Sequence, residues 1–169
     1  DYGSALRKIL KFNEKTTDYI EKRKSEMNLP VDYIAVHIRR GDKIVSREMK
    51  ELGLSLYIDA VKGKKHISRN VFIATDDGSV TDKLKSVLVA EGFNVYWNTA
   101  VTQTGFDESL FNTKDKKSRY IDTLNMLLDM DILIHSSFFI GTYTSNVSRI
   151  VPLYVGFDKS LSLDDEWKL

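Results

Sequence analysis

Four short apolar runs constrain this chain more than any other feature: YIAVHI at 33–38, VFIAT at 71–75, FNVYW at 93–97 and FFIGT at 138–142. Each has the length and the β-branched and aromatic content of a buried strand. Between them lie segments with helical spacing of apolar residues. Leu6, Ile9, Leu10, Phe12, Thr16, Tyr19 and Ile20 predict a leading helix over 3–27, which Pro30 interrupts. A short helix is expected over 55–63. Val80, Leu84, Val87 and Leu88 predict another over 79–91, with Ser79 and Asp82 spaced as a capping box and Gly92 closing it. Ile121, Leu124 and Leu128 mark a long helix over 119–135. TSNVSRIV reads as a helix start and LYVGF as a last short strand. Strands alternating with helices imply a parallel α/β sheet. Residues 1–30 are read as a leading helix and linker, and 31–169 as one sheet domain. The polar stretch 98–117 is too long for a plain connection and reads as a functional or mobile loop.

In such sheets ligands bind beyond the carboxyl ends of the strands, so the residues placed there matter most. The first strand ends in His37-Ile38-Arg39-Arg40-Gly41-Asp42-Lys43. Alternation puts His37 and Arg39 on one side, and arginine suits bidentate binding of a phosphate. The second strand ends in Thr75-Asp76-Asp77, whose carboxylates suit hydroxyls or base N–H groups. The fourth ends in Gly141-Thr142-Tyr143-Thr144-Ser145-Asn146, at a helix N-terminus whose N–H groups and dipole favour an anion. Together the three clusters imply a phosphorylated ligand, most simply a nucleotide. Each also has a plainer reading. The arginines can pair with local acids, Thr-Asp-Asp-Gly can be a turn and cap, Gly-Thr-Tyr-Thr-Ser a loop and cap, and His37 a satisfied core histidine.

Composition narrows the classes. A net charge of +1 argues against a nucleic-acid protein driven by bulk charge. The absence of cysteine excludes disulfides and thiolate metal sites. It leans towards a reducing, cytoplasmic compartment, with the Golgi lumen the alternative for a eukaryotic segment. No apolar run is long enough to span a membrane. His37, His66 and His135 lack zinc-ligand spacing, Asp76-Asp77 is no calcium loop, and Walker and Gly-x-Gly-x-x-Gly sequences are absent. The tripeptide Arg40-Gly41-Asp42 follows a buried strand, which disfavours an adhesive loop tip. The sequon Asn146-Val147-Ser148 falls at the expected ligand edge. The chain opens on Asp1 rather than Met and is read as part of a longer protein.

Four ordered motifs over 31–165 carry a family resemblance. VHIRRGDK (36–43) resembles the His-x-Arg-Arg-x-Asp-Lys signature of fucosyltransferases. FIATDD (72–77), LLDMDILIHSSFFIGTYTSNVSR (127–149) and SLDD (162–165) are similar to further motifs of the α-1,6 group, the core-fucosylating and rhizobial Nod-factor enzymes. The resemblance implies a Rossmann-like parallel sheet with flanking helices, like the C-terminal nucleotide-sugar-binding domain of a GT-B glycosyltransferase. It implies an inverting enzyme that takes fucose from GDP-fucose to a glycan acceptor without a metal, with an N-terminal half outside this segment. Carried over by motif, Arg39 would bind the β-phosphate with Arg40 supporting that edge. His37 and Asp129 would read guanine, and Asp76 and Asp77 the ribose side. Thr144, Ser145 and Asn146 would meet phosphate oxygens from the helix start. Asp42 and Lys43 complete the first motif, and Tyr57 matches a family tyrosine. Glu48 is the expected general base, helped by Lys43, with Glu51 the competitor. Asn146 stands where the family usually has Gln, and Pro152 is expected to shorten a helix. The lack of cysteine points to a bacterial, viral or divergent member. A transferase for another nucleotide sugar, or a non-catalytic nucleotide- or glycan-binding module, remain the alternatives.

Overall fold

The computed structural model describes residues 2–9, 11–47, 51–102 and 105–166. Five strands, β1 (Ile34–Ile38), β2 (Asn70–Thr75), β3 (Asn94–Trp97), β4 (Phe138–Gly141) and β5 (Ser160–Ser162), form one sheet in the order β3-β2-β1-β4-β5. Every pairing is parallel. The expected parallel α/β sheet is thus observed. β1, β2 and β3 step outwards to one edge, and the chain then returns past them to β4. The strand order therefore reverses between β1 and β4, and the crevice beyond their carboxyl ends is the place where such sheets bind ligands.

The helices are α1 (Tyr2–Ile9), α2 (Glu14–Met27), α3 (Asp42–Val45), α4 (Leu54–Gly63), α5 (Gly78–Ala90), α6 (Glu108–Thr113), α7 (Lys116–Ile134) and α8 (Asn146–Val155). All five residues of β1 are buried, as both-face coverage of a central parallel strand requires. On one face Ile34, Val36 and Ile38 pack with Tyr57 and Val61 of α4 and with Val80, Leu84 and Leu88 of α5. On the other, Ala35, Phe72, Ala74 and Phe139 pack with Ile20 of α2, Leu128, Ile132 and Leu133 of α7, and Val151 of α8.

Several elements differ from the sequence expectation. The single leading helix is two, because Asn13 is extended and its side chain accepts the Thr16 N–H, restarting the chain as α2. α1 lies against α8 and α2 against α7. The cap of α5 is Asp77, not Ser79: its carboxylate accepts the Ser79 N–H at 2.9 Å. The loop after β3 contains α6, capped by Asp107. LYVGF is not a strand. Val147, Val151 and Val155 recur every fourth residue and put one face of α8 on the core. Pro152 does not cut α8 short; its ring is buried inside the helix, which runs on to Val155 and stops at Gly156, φ +107°. The last strand lies beyond, at Ser160–Ser162.

Candidate functional site

Alternation along β1 sorts its charged end to two sides of the sheet. His37 and Arg39 face the α7–α8 side. Arg40 faces the α4 side, where its Nη2 donates to the Leu52 carbonyl and its Nε lies 3.6 Å from Glu51. A cavity of about 420 Å³ opens on the first side, lined among others by His37, Arg39, Asp76, Phe106, Asn125 and Asp129. Its walls come from β1, β2, α7 and the loop leading to α6.

His37 is buried, and its Nδ1 is 2.7 Å from the hydroxyl of Ser148 in α8. Burial, then the charge of Arg39, pushes its pKa down to about 3, so the ring is neutral at physiological pH. Ser148 also accepts the Thr142 N–H at 3.4 Å, which ties β4 to α8. Ser148 is fully buried, whereas Asn146, the residue a sequon would modify, is exposed. Asp129, on α7, presents an Oδ1 that is sealed from solvent and has no hydrogen-bond partner among the described residues. Burial pushes its pKa up to about 7, offset in part by the Asn98 amide. A buried acceptor without a donor is costly unless a ligand supplies one.

Arg39 is held rather than loose. Its Nη2 donates to Asp42 Oδ1 at 2.7 Å, and its Nη1 is 3.3 Å from Asp76 Oδ2. Asp76 does further work within the fold. Its Oδ1 accepts the Arg40 N–H at 2.7 Å and its Oδ2 the Phe106 N–H at 3.0 Å, while its carbonyl accepts Gly105 N–H. The Asp42 N–H in turn donates to the Phe106 carbonyl. Gly41 (φ +69°) and Gly105 (φ +87°) let the two backbones meet, since a Cβ on Gly105 would lie 2.6 Å from Gly41 Cα. The loop 105–107 is thus fastened across the end of β1.

The predicted site residues fall into separate groups. His37, Arg39, Asp76 and Asp129 come together around the cavity, with Asp42 bracing Arg39. Thr144, Ser145 and Asn146 lead into α8. Thr144 is bonded to Asp164, which also accepts the Tyr143 N–H at 2.7 Å; Ser145 is buried at the helix N-cap without a side-chain cap bond. Asp77 caps α5 and, with Arg40 and Glu51, lines a second cleft on the opposite side of the sheet. Tyr57 lies in the α4-side core, with burial pushing its phenol up to about 12. Lys43 belongs to α3. Glu48 lies outside the described residues. Among the described residues, no group of three or more His, Asp or Glu side chains could hold a metal ion, and no helix is long and apolar enough to cross a membrane. Sequence reasoning missed Phe106, Asn98 and the tie made by Asp164. Only the last had a visible signal, the SLDD motif.

Comparison with known proteins places this arrangement. Structures of NodZ alpha-1,6-fucosyltransferase are similar: one soaked with GDP-fucose shares 21% identity over 86% of this chain and 43% of its own, with a TM-score of 0.56. The fucosyltransferase NodZ from Bradyrhizobium aligns with 20% identity over 86% of this chain and 43% of its own, at 0.57. POFUT1 in complex with GDP shares 16% identity over 93% of this chain and 48% of its own, at 0.61. The chain spans just under half the length of these relatives, and no curated protein matches it in sequence. A family model described as alpha-(1,6)-fucosyltransferase N- and catalytic domains matches residues 2–154. The chain belongs to the alpha-(1,6)-fucosyltransferase family.

Proposed function

We propose that this chain is the nucleotide-sugar-binding half of an inverting, metal-independent fucosyltransferase that uses GDP-fucose and a glycan hydroxyl. One observation carries the reading: the unpartnered, buried Oδ1 of Asp129 shares a cavity with a braced arginine. Guanine offers the N–H donors that Asp129 needs, and a diphosphate offers the charge that Arg39 needs. His37, neutral and fixed by Ser148, completes the base end of the cavity.

As the bond between fucose C1 and the diphosphate breaks, negative charge grows on the β-phosphate oxygens. Arg39 stabilises it directly, and the N-terminus of α8 adds its dipole. Thr144, Ser145 and Asn146 lead into that helix. A carboxylate removes the acceptor proton as its oxygen attacks C1 from the opposite face. Glu48 takes this role in our reading, with Lys43 keeping it ionised. Glu51 is less suited, because it is exposed and faces the Arg40 side of the sheet. Asp76 and Asp77 serve the site mainly as staple and cap. Transfer further requires an acceptor held in line with C1, the task of the half that this segment does not span.

The test is calorimetric binding of GDP, UDP and ADP, with and without Mg²⁺, to wild type and Arg39→Ala. GDP is expected to bind best, without Mg²⁺, and the variant to lose about 10- to 100-fold, as removal of a charge-assisted contact implies. Equal weak binding of all three, indifferent to the substitution, would overturn the reading. Strict Mg²⁺ dependence would move it to another transferase class.

A further inference from the structure

We propose that Phe106 is a positioning residue for the diphosphate: its ring holds the Arg39 guanidinium in the plane that receives phosphate oxygens. The proposal rests on the nucleotide reading above and adds to it a residue from outside the family motifs.

The Arg39 Cζ lies 5.1 Å from the centroid of the Phe106 ring, within the range of a cation–π contact. Phe106 is itself fixed at three points. Its N–H donates to Asp76 Oδ2, its carbonyl accepts the Asp42 N–H, and its ring packs against Phe111 at 5.6 Å. The same two residues, Asp42 and Asp76, also pair through their carboxylates with the two terminal nitrogens of Arg39. Backbone and guanidinium are therefore set by the same two residues, and the guanidinium carbon lies over the ring.

A guanidinium carries five N–H donors in a fixed plane. Asp42 and Asp76 engage Nη2 and Nη1, and Cζ sits over the Phe106 ring. The rotation that would carry the plane away from the cavity is blocked. Arginine otherwise has wide rotamer freedom, lost on every binding event. A plane fixed beforehand gives up less on binding a diphosphate. Guanosine, which reaches the base end of the cavity but not Arg39, gains nothing from it.

The test compares GDP and guanosine binding to the 169-residue chain by calorimetry, for wild type, Phe106→Leu, Phe106→Ala and Phe106→Trp. Thermal unfolding of each variant checks that it is folded. Phe106→Leu keeps an apolar side chain but removes the π face. It is expected to weaken GDP about three- to tenfold, as loss of a cation–π contact implies, and leave guanosine unchanged. Phe106→Trp is expected to restore GDP binding. If GDP affinity survives both Phe106→Leu and Phe106→Ala, or guanosine weakens in proportion, the proposal fails while the nucleotide reading stands. If the wild type does not prefer GDP to guanosine, both fail together.

Discussion

Asp129→Asn is expected to change the pH dependence of stability in a way that identifies the cost of the empty acceptor. Burial raises the Asp129 pKa from an ordinary 3.8 to about 7 in the folded chain. Folded Asp129 therefore keeps a proton that the unfolded chain releases. Its contribution is fully present below about pH 4, falls as pH rises to about 7, and is flat above. At about 1.4 kcal/mol per pH unit, the full penalty on the ionised form is about 4 kcal/mol, an upper value for a site that water can enter. Between about pH 5.5 and about pH 8 the wild type is expected to lose about 2 kcal/mol from this group, and Asp129→Asn none. His37 adds the opposite slope below its unfolded value, because its folded pKa is depressed, but it does so in both proteins and cancels in the difference. Urea unfolding of both at the two pH values measures that difference. Parallel profiles would refute the reasoning. Guanine donors would favour the ionised carboxylate, so GDP binding near pH 6.5 should release a proton, seen as a dependence of the binding heat on the buffer.

Two further substitutions test the scaffold. Ser148→Ala leaves His37 Nδ1 and the Thr142 N–H without their shared partner; a loss of about 1–3 kcal/mol is expected in urea unfolding, and a change under about 0.5 kcal/mol would show that another group takes over. Gly105→Ala puts a Cβ 2.6 Å from Gly41 Cα at a φ of +87°; it is expected to lower stability by about 1–3 kcal/mol and to weaken GDP binding by loosening Arg39, and an unchanged Tm would contradict the close approach.

Much of the architecture was legible locally. The runs that became β1 to β4 are short and apolar because strands covered on both faces need no polar side. His37 and Arg39 share a side because alternation is a property of the strand backbone itself. The leading helix was misread because its loose stripe hid a cap: Asn13 is one residue whose side chain competes with the helix for the Thr16 N–H. LYVGF was misread because Val151 and Val155 belong to a four-residue repeat that starts before it, and apolar residues alone do not choose between the two periods.

What the sequence by itself determined is the class of sheet, the edge where ligands bind and the motifs gathered there, since periodicity and strand-end chemistry are local. Only the tertiary structure decided how the members of that edge divide. Arg39 meets Asp42, Asp76 and Phe106, while neighbouring Arg40 turns to Leu52 and Glu51. Asp76 staples two loops while Asp77 caps a helix. Phe106 stands 67 positions from Arg39 in the numbering and reaches it only because Gly41 and Gly105 allow two backbones to touch. The buried, unpartnered oxygen of Asp129 likewise exists only when α7 is packed against the sheet. Contacts between distant residues are set by packing, and no local pattern encodes which of several acids a given arginine will face.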